Sequence, residues 1–213
     1  MFLFLAATIL DISDGVAMTP QMVLYLLFFA TAVGVIIIAV DPGDPDVMHR
    51  TPRDPAVTIT NRGAVLMWVT YALVLFLAAF LPLVAGPDQP SPNSGSVSMT
   101  MTFAVMGLGT AFNALVNRRD PTSGLTQPIL KALAIAVVPV AMVFFATELP
   151  TLQGALLTVP LTGRQWLVCA GLAALLPVVV ELGKVVRRRR YQTPEPPALE
   201  DVVAPARAGT LHG

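Results

Sequence analysis

The sequence predicts an all-α fold, a polytopic membrane helical bundle of about six segments, on two observations. The first is composition. Of 213 residues, 55% are hydrophobic and only 12% charged, with a mean hydropathy of +0.72, well above an ordinary soluble domain. The second is spacing. Apolar runs close to the ~20 residues that a helix needs to cross a bilayer recur along the chain, and they are hydrophobic all round, without the one-sided stripe of a surface helix.

The first segment, residues 2–12, is only half a span, because about 11 residues cover roughly 16 Å of a ~30 Å core. It has neither a basic leader nor a small-x-small cleavage pattern before Asp11, so it reads as part of the mature chain and not as a secretory signal. Asp11 and Asp14 follow in a short polar turn. A cation at the external mouth is an alternative use of that pair. Residues 21–40 form the second segment, a run without Asn, Asp, Glu or Pro. A polar, proline-rich loop occupies 41–63.

Residues 64–85, 98–116, 129–146 and 166–186 complete the set. Pro82, Pro139 and Pro177 fall inside three of them, where neighbouring helices can satisfy the freed carbonyls, so they mark kinks more readily than sites. After Arg190 the chain turns to Tyr-Gln-Thr-Pro-Glu-Pro-Pro and an Ala/Pro/Val-rich stretch. That composition reads as a disordered cytoplasmic tail over 191–213.

Orientation follows from lysine and arginine. Arg50, Arg53, Arg62, Arg118, Arg119, Lys131, Lys184, the Arg187 to Arg190 block and Arg207 fall on one side if the segments alternate, and only Arg164 falls on the other. The expectation is a multi-pass protein of the cell membrane with both termini cytoplasmic. The Arg187 to Arg190 block reads first as an anchor next to anionic lipid.

Several function classes find no support. Basic and acidic residues balance at thirteen each and form no basic face, so no nucleic-acid partner is expected. Cys169 is the only cysteine and reads as a small buried hydrophobe. His49 sits in the polar loop and His212 in the tail, neither with companions for a catalytic or metal site. No cofactor is expected, and the lipid bilayer is the first partner.

The polar loop has a recognisable order. Asp41-Pro42-Gly43-Asp44-Pro45-Asp46-Val47-Met48-His49-Arg50-Thr51-Pro52-Arg53 resembles the cytoplasmic loop after the sixth membrane helix of P-type cation pumps of the calcium and sodium/potassium type. Phe112-Asn113-Ala114-Leu115-Val116-Asn117-Arg118 resembles the end of the eighth helix. Trp166-Leu167, Leu176-Pro177-Val178 and Glu181 to Lys184 resemble the tenth. The resemblance covers roughly residues 1 to 190 and implies the carboxy-terminal membrane domain, helices five to ten. In whole pumps the loop carrying Asp41, Pro42, Asp44, Asp46, Met48, Arg50, Pro52 and Arg53 lies against the phosphorylation domain.

The departures from the pattern set the functional expectation. The family coordinates ions through a carboxylate in the fifth helix, an Asn and an Asp in an unwound stretch of the sixth, and a polar side chain in the eighth. Counting forward from Gln21 puts Leu26 and Ala30 at the sixth-helix positions; counting back from Asp41 puts Leu27 and Thr31 there. Without proline, this helix is expected to keep its carbonyls in its own i to i−4 bonds. The eighth-helix position falls near Thr110, with Asn113 one turn on; both are weak intramembrane metal candidates, and interhelical hydrogen bonding explains Asn113 equally.

The Asp-Lys-Thr-Gly and Thr-Gly-Glu motifs of pumps do not occur in these residues, nor does a phosphate-binding glycine loop. The expectation is therefore a non-enzymatic scaffold, assembly or regulatory module associated with cation transport, with a P-type ATPase or another membrane protein chain as partner. The alternatives are the membrane subunit of a split P-type ATPase and a truncated pump remnant without transport activity.

Overall fold

The computed structural model describes residues 2–12, 14–32, 35–36, 39, 62–91, 93–116 and 127–190. The Asp41 to Arg53 motif, the connection carrying Arg118 and Arg119, and the 191–213 tail lie outside them. The described residues are helical, with no strand among them. Two units are distinguished, Met1–Val180 and Glu181–Gly213; the described part of the second is the closing turns of the last helix.

Helix α1, Phe2–Ile9, ends in a Schellman arrangement. Asp11 takes a left-handed φ of 51°, its amide reaches the Thr8 carbonyl at 3.4 Å, and the Ile12 amide reaches Ala7 at 3.0 Å, which satisfies two of the orphaned carbonyls. Asp14 is also left-handed, with φ 53°. The aspartate pair thus makes the turn, since short polar side chains tolerate this backbone region.

Helix α2, Pro20–Tyr25, is started by Thr19, whose hydroxyl accepts the Met22 amide, with Pro20 in the first turn where its missing N–H matters least. It continues without a break as a π-helix, Leu26–Thr31. Here the expected α-helical bonding fails, because a π-turn bonds i to i+5.

Helix α3 is Arg62–Ala85, α4 is Val97–Val116, and α5 is Gln127–Glu148. Leu149 is extended, φ −85° and ψ 122°, as residues preceding proline tend to be. Helix α6, Pro150–Leu156, then leaves α5 at 85°. Helix α7, Gly163–Arg190, starts earlier than the expected 166, because Thr162 and Gln165 form a capping box: the Gln165 amide bonds the Thr162 hydroxyl, and the Gln165 carboxamide accepts from the Thr162 amide at 2.7 Å.

Among the described residues, three helices are long and apolar enough to span a membrane, and a fourth if bent α5 and α6 count as one, against the six segments expected for the whole chain. The eight residues of α1 rise only about 12 Å, and the described helix Pro20–Thr31 is also short.

Helix α4 is the axis of the fold. It packs against α3, α5 and the π-turn, while α5 also packs on the π-turn and α1 on α3. Buried positions make up 72% of the α4 span, against 17% for α3 and 22% for α7. Phe103, Ala104, Val105 and Ala111 are fully enclosed. From α7, Cys169, Ala173, Leu176 and Val180 are buried at helical spacing, with the free Cys169 thiol 3.7 Å from the Met101 carbonyl.

Candidate functional site

The positions that counting from Gln21 or from Asp41 is expected to match to sixth-helix ligands fall in the π-turn on either count. Leu26 and Ala30 of one count and Leu27 and Thr31 of the other all lie within Leu26–Thr31. π-Turns frequently mark functional positions in helices, so what surrounds this one decides what it can do.

The surroundings are apolar and closely packed. A Cβ added at Gly107 of α4 would run into Val143 Cγ2 and meet Leu26 Cδ2 at 3.0 Å, so glycine there lets α4, α5 and the π-turn approach. Ala30 is buried and Phe103 fully enclosed, with the Phe103 and Tyr25 rings 6.1 Å apart. The Tyr25 hydroxyl spans to α5 and donates to the Met142 carbonyl at 2.8 Å. Leu27 and Phe28 point outward and are exposed.

Thr110 and Asn113 do not converge on this turn. The Thr110 hydroxyl donates back to its own helix at Met106, 2.7 Å, the usual intrahelical use of threonine. Asn113 lines a separate cavity of about 380 Å³ with Met67, Trp68, Tyr71, Ala72, Leu75 and Leu176, on the α3 and α7 side of α4. Among the described residues, no three His, Cys, Asp or Glu side chains are placed to hold a metal ion.

The best-organised polar cluster lies at the end of the bundle where α3 meets α4, hereafter the distal end, and its key residue was not singled out from the sequence. Asp88 caps α4. Its carboxylate accepts from the Val97 amide at 2.6 Å, the Ser98 amide at 2.8 Å, and the hydroxyls of Ser98 at 2.5 Å and Ser96 at 3.2 Å. Partial burial works against ionisation, but these donors outweigh it and hold the carboxyl below the usual carboxylate range. Gly86 makes the cage close, since a Cβ there would run into Ser98 and the Pro82 carbonyl. An aspartate shortly ahead of Ser96-x-Ser98 is the capping signal that was available in the sequence.

Other bonds stitch the same end together. Thr19 donates to Leu156 at 3.1 Å, the Val159 amide to Thr100 at 3.1 Å, Thr158 to Ala146 at 2.5 Å, and Gln153 to Thr147 at 2.6 Å. The Trp166 indole reaches Glu148 at 3.3 Å. These contacts fix a structure, with Asp88 accepting from α4 and Glu148 from the Trp166 indole.

A comparison with curated proteins finds no match. Residues 15–186 match the protein family described as Cation transporting ATPase, C-terminus. That match covers more than half of the chain. This membrane protein therefore belongs to the family of cation-transporting ATPase carboxy-terminal domains.

Proposed function

We propose that the chain is a non-catalytic membrane module of cation transport, a scaffold, assembly partner or regulator that works with a P-type ATPase or another membrane protein chain. We place it in the cell membrane with both termini cytoplasmic, on the distribution of lysine and arginine. The observation that carries the reading is the filled interior at the π-turn, where Leu26, Gly107 and Val143 touch. A hard cation wants about six oxygen ligands, and the side chains that meet here supply none.

The test is cation flux into liposomes containing the purified chain, followed with calcium-, sodium- and potassium-sensitive dyes. The expected trace equals that of empty liposomes; transport by the chain alone would overturn the proposal. Labelling of single cysteines placed in the 86–95 connection and in the 191–213 tail reads the orientation, with the tail expected to label only from the cytoplasmic side.

A second reading is the membrane subunit of a split P-type ATPase, favoured by the retained Asp41 to Arg53 motif. An antibody to the Gln192 to Gly213 stretch would detect a native polypeptide near 22.6 kDa under either of these readings. Co-purification of a chain bearing phosphorylation and nucleotide domains, with binding lost on replacing Asp44, Asp46, Arg50 and Arg53, selects the split pump.

A further inference from the structure

We propose that a slot at the distal end, between the last turns of α3 and the first turns of α7, binds an anionic glycerophospholipid, its phosphate on Arg164 and one acyl chain in the slot. The slot holds about 540 Å³, within the roughly 300–1,000 Å³ range of small-ligand sites. Its mouth is polar, with Gly86 and Pro87 facing Thr162 and Arg164. Below the mouth the walls are Leu81, Val168 and Leu172, and the floor is Met101 of α4.

Leu172 lies two turns below Arg164, about 12 Å along α7, most of the ~15 Å half-thickness of a bilayer core. A cation above an apolar channel of one leaflet's depth has the charge order of a phospholipid. Leu81 and Val168 are about half exposed, so the channel is open on the side that faces lipid.

Charge complementarity selects the headgroup. Arg164 is the only lysine or arginine in the connections at this end; it is exposed, and it bonds to no other side chain among the described residues. The two acids near it in the fold's polar network are occupied, Asp88 by the start of α4 and Glu148 by the Trp166 indole. A guanidinium fork fits phosphate oxygens in pairs. The Arg164 charge attracts an anionic headgroup in full and repels the cation of a zwitterionic one, so an anionic lipid fits better.

The test is native mass spectrometry and thermal melting of the purified full chain titrated with phosphatidylglycerol or phosphatidylcholine. Phosphatidylglycerol should form a one-to-one adduct more tightly than phosphatidylcholine and raise the melting temperature. Arg164→Gln should weaken that adduct about fivefold, the factor that one interfacial arginine contributes, and weaken the phosphatidylcholine adduct less, so that the preference between the two lipids narrows. Val168→Trp should block the channel and remove the adduct with Arg164 in place. Undiminished binding in either variant overturns the site, as does equal preference for the two lipids. The Arg187 to Arg190 cluster is common to all three proteins, so its background attraction cancels in the comparison. If Arg164→Gln fails to fold by circular dichroism, Val168→Trp decides alone.

Discussion

Helices α3 and α4 are neighbours with opposite compositions. The buried one is the more polar. Helix α4 carries Ser98, Thr100, Thr102 and Thr110 on a span that is 72% buried, whereas the more hydrophobic α3 is 17% buried. In water this order would be reversed. In a bilayer the most apolar surface belongs outside, and the interior accepts hydroxyls provided each is satisfied.

On α4 each of these hydroxyls has a partner. Thr100 donates to the Ser96 carbonyl at 2.7 Å, and Thr102 reaches both the Ser98 carbonyl at 3.0 Å and, across to α3, the Ala79 carbonyl at 3.1 Å. Ala79 is next to the carbonyl of Ala78, which Pro82 leaves without its amide donor. Threonine on the buried helix therefore ties to the exposed one a residue away from the carbonyl that Pro82 leaves open.

The contrast predicts a graded set of outcomes, read as thermal midpoints in detergent micelles. Phe103→Ala, at the fully enclosed centre of α4, should destabilise most, by about 3–5 kcal/mol. Gly107→Leu should come next, at about 1–3 kcal/mol, because its side chain must displace Val143 and Leu26. The matched change on α7, Gly171→Leu, meets nothing within 4 Å and should stay within about 0.5 kcal/mol. Equal effects at the two glycines would break the distinction between axis and periphery.

Thr102→Val should cost about 0.6 kcal/mol, the mean for hydrogen bonds between membrane helices, and no more than about 1.7 kcal/mol. The smallest effect belongs to Leu77→Ala on α3, whose side chain is exposed, at about 0.5 kcal/mol or less.

The Asp88 cage adds a pH dependence. Its folded-state carboxyl titrates below the ordinary value, so its contribution is fully present above the unfolded-state pKa of about 3.9 and disappears as pH falls through the lower folded value. Melting temperatures of the natural protein should fall below about pH 4 more steeply than those of Asp88→Asn. Parallel curves would show that the cap does not depend on the carboxylate charge.

What the sequence made legible was the part governed by hydrophobic runs. Residues 64–85 and 98–116 match α3 and α4 within a residue or two, because a run of this length in a bilayer has one way to satisfy its backbone. The half-length first segment and the buried Cys169 were legible for the same reason. The bend after Glu148 and the start of α7 at Gly163 were written locally, in Pro150 and in Thr162 to Gln165, but apolar length alone passes over such signals. The apolar character of Leu26 and Ala30 was readable directly. The packing of Leu26 at Gly107 was not, because it depends on a contact more than seventy residues away in the chain.

The π-turn bears on the chain's own numbering. Each bond of a π-helix encloses one residue more than the corresponding α-helical bond, so the stretch Leu26–Thr31 can absorb a single added residue without breaking. Counting from Gln21 and counting from Asp41 gave ligand positions that differ by one. One residue is the difference between the two counts, and a π-turn is a place where a helix accommodates one. Across Leu26–Thr31 the side chains therefore follow a smaller angular step than in an uninterrupted α-helix, and the face that the chain presents there is set by this turn as much as by its sequence.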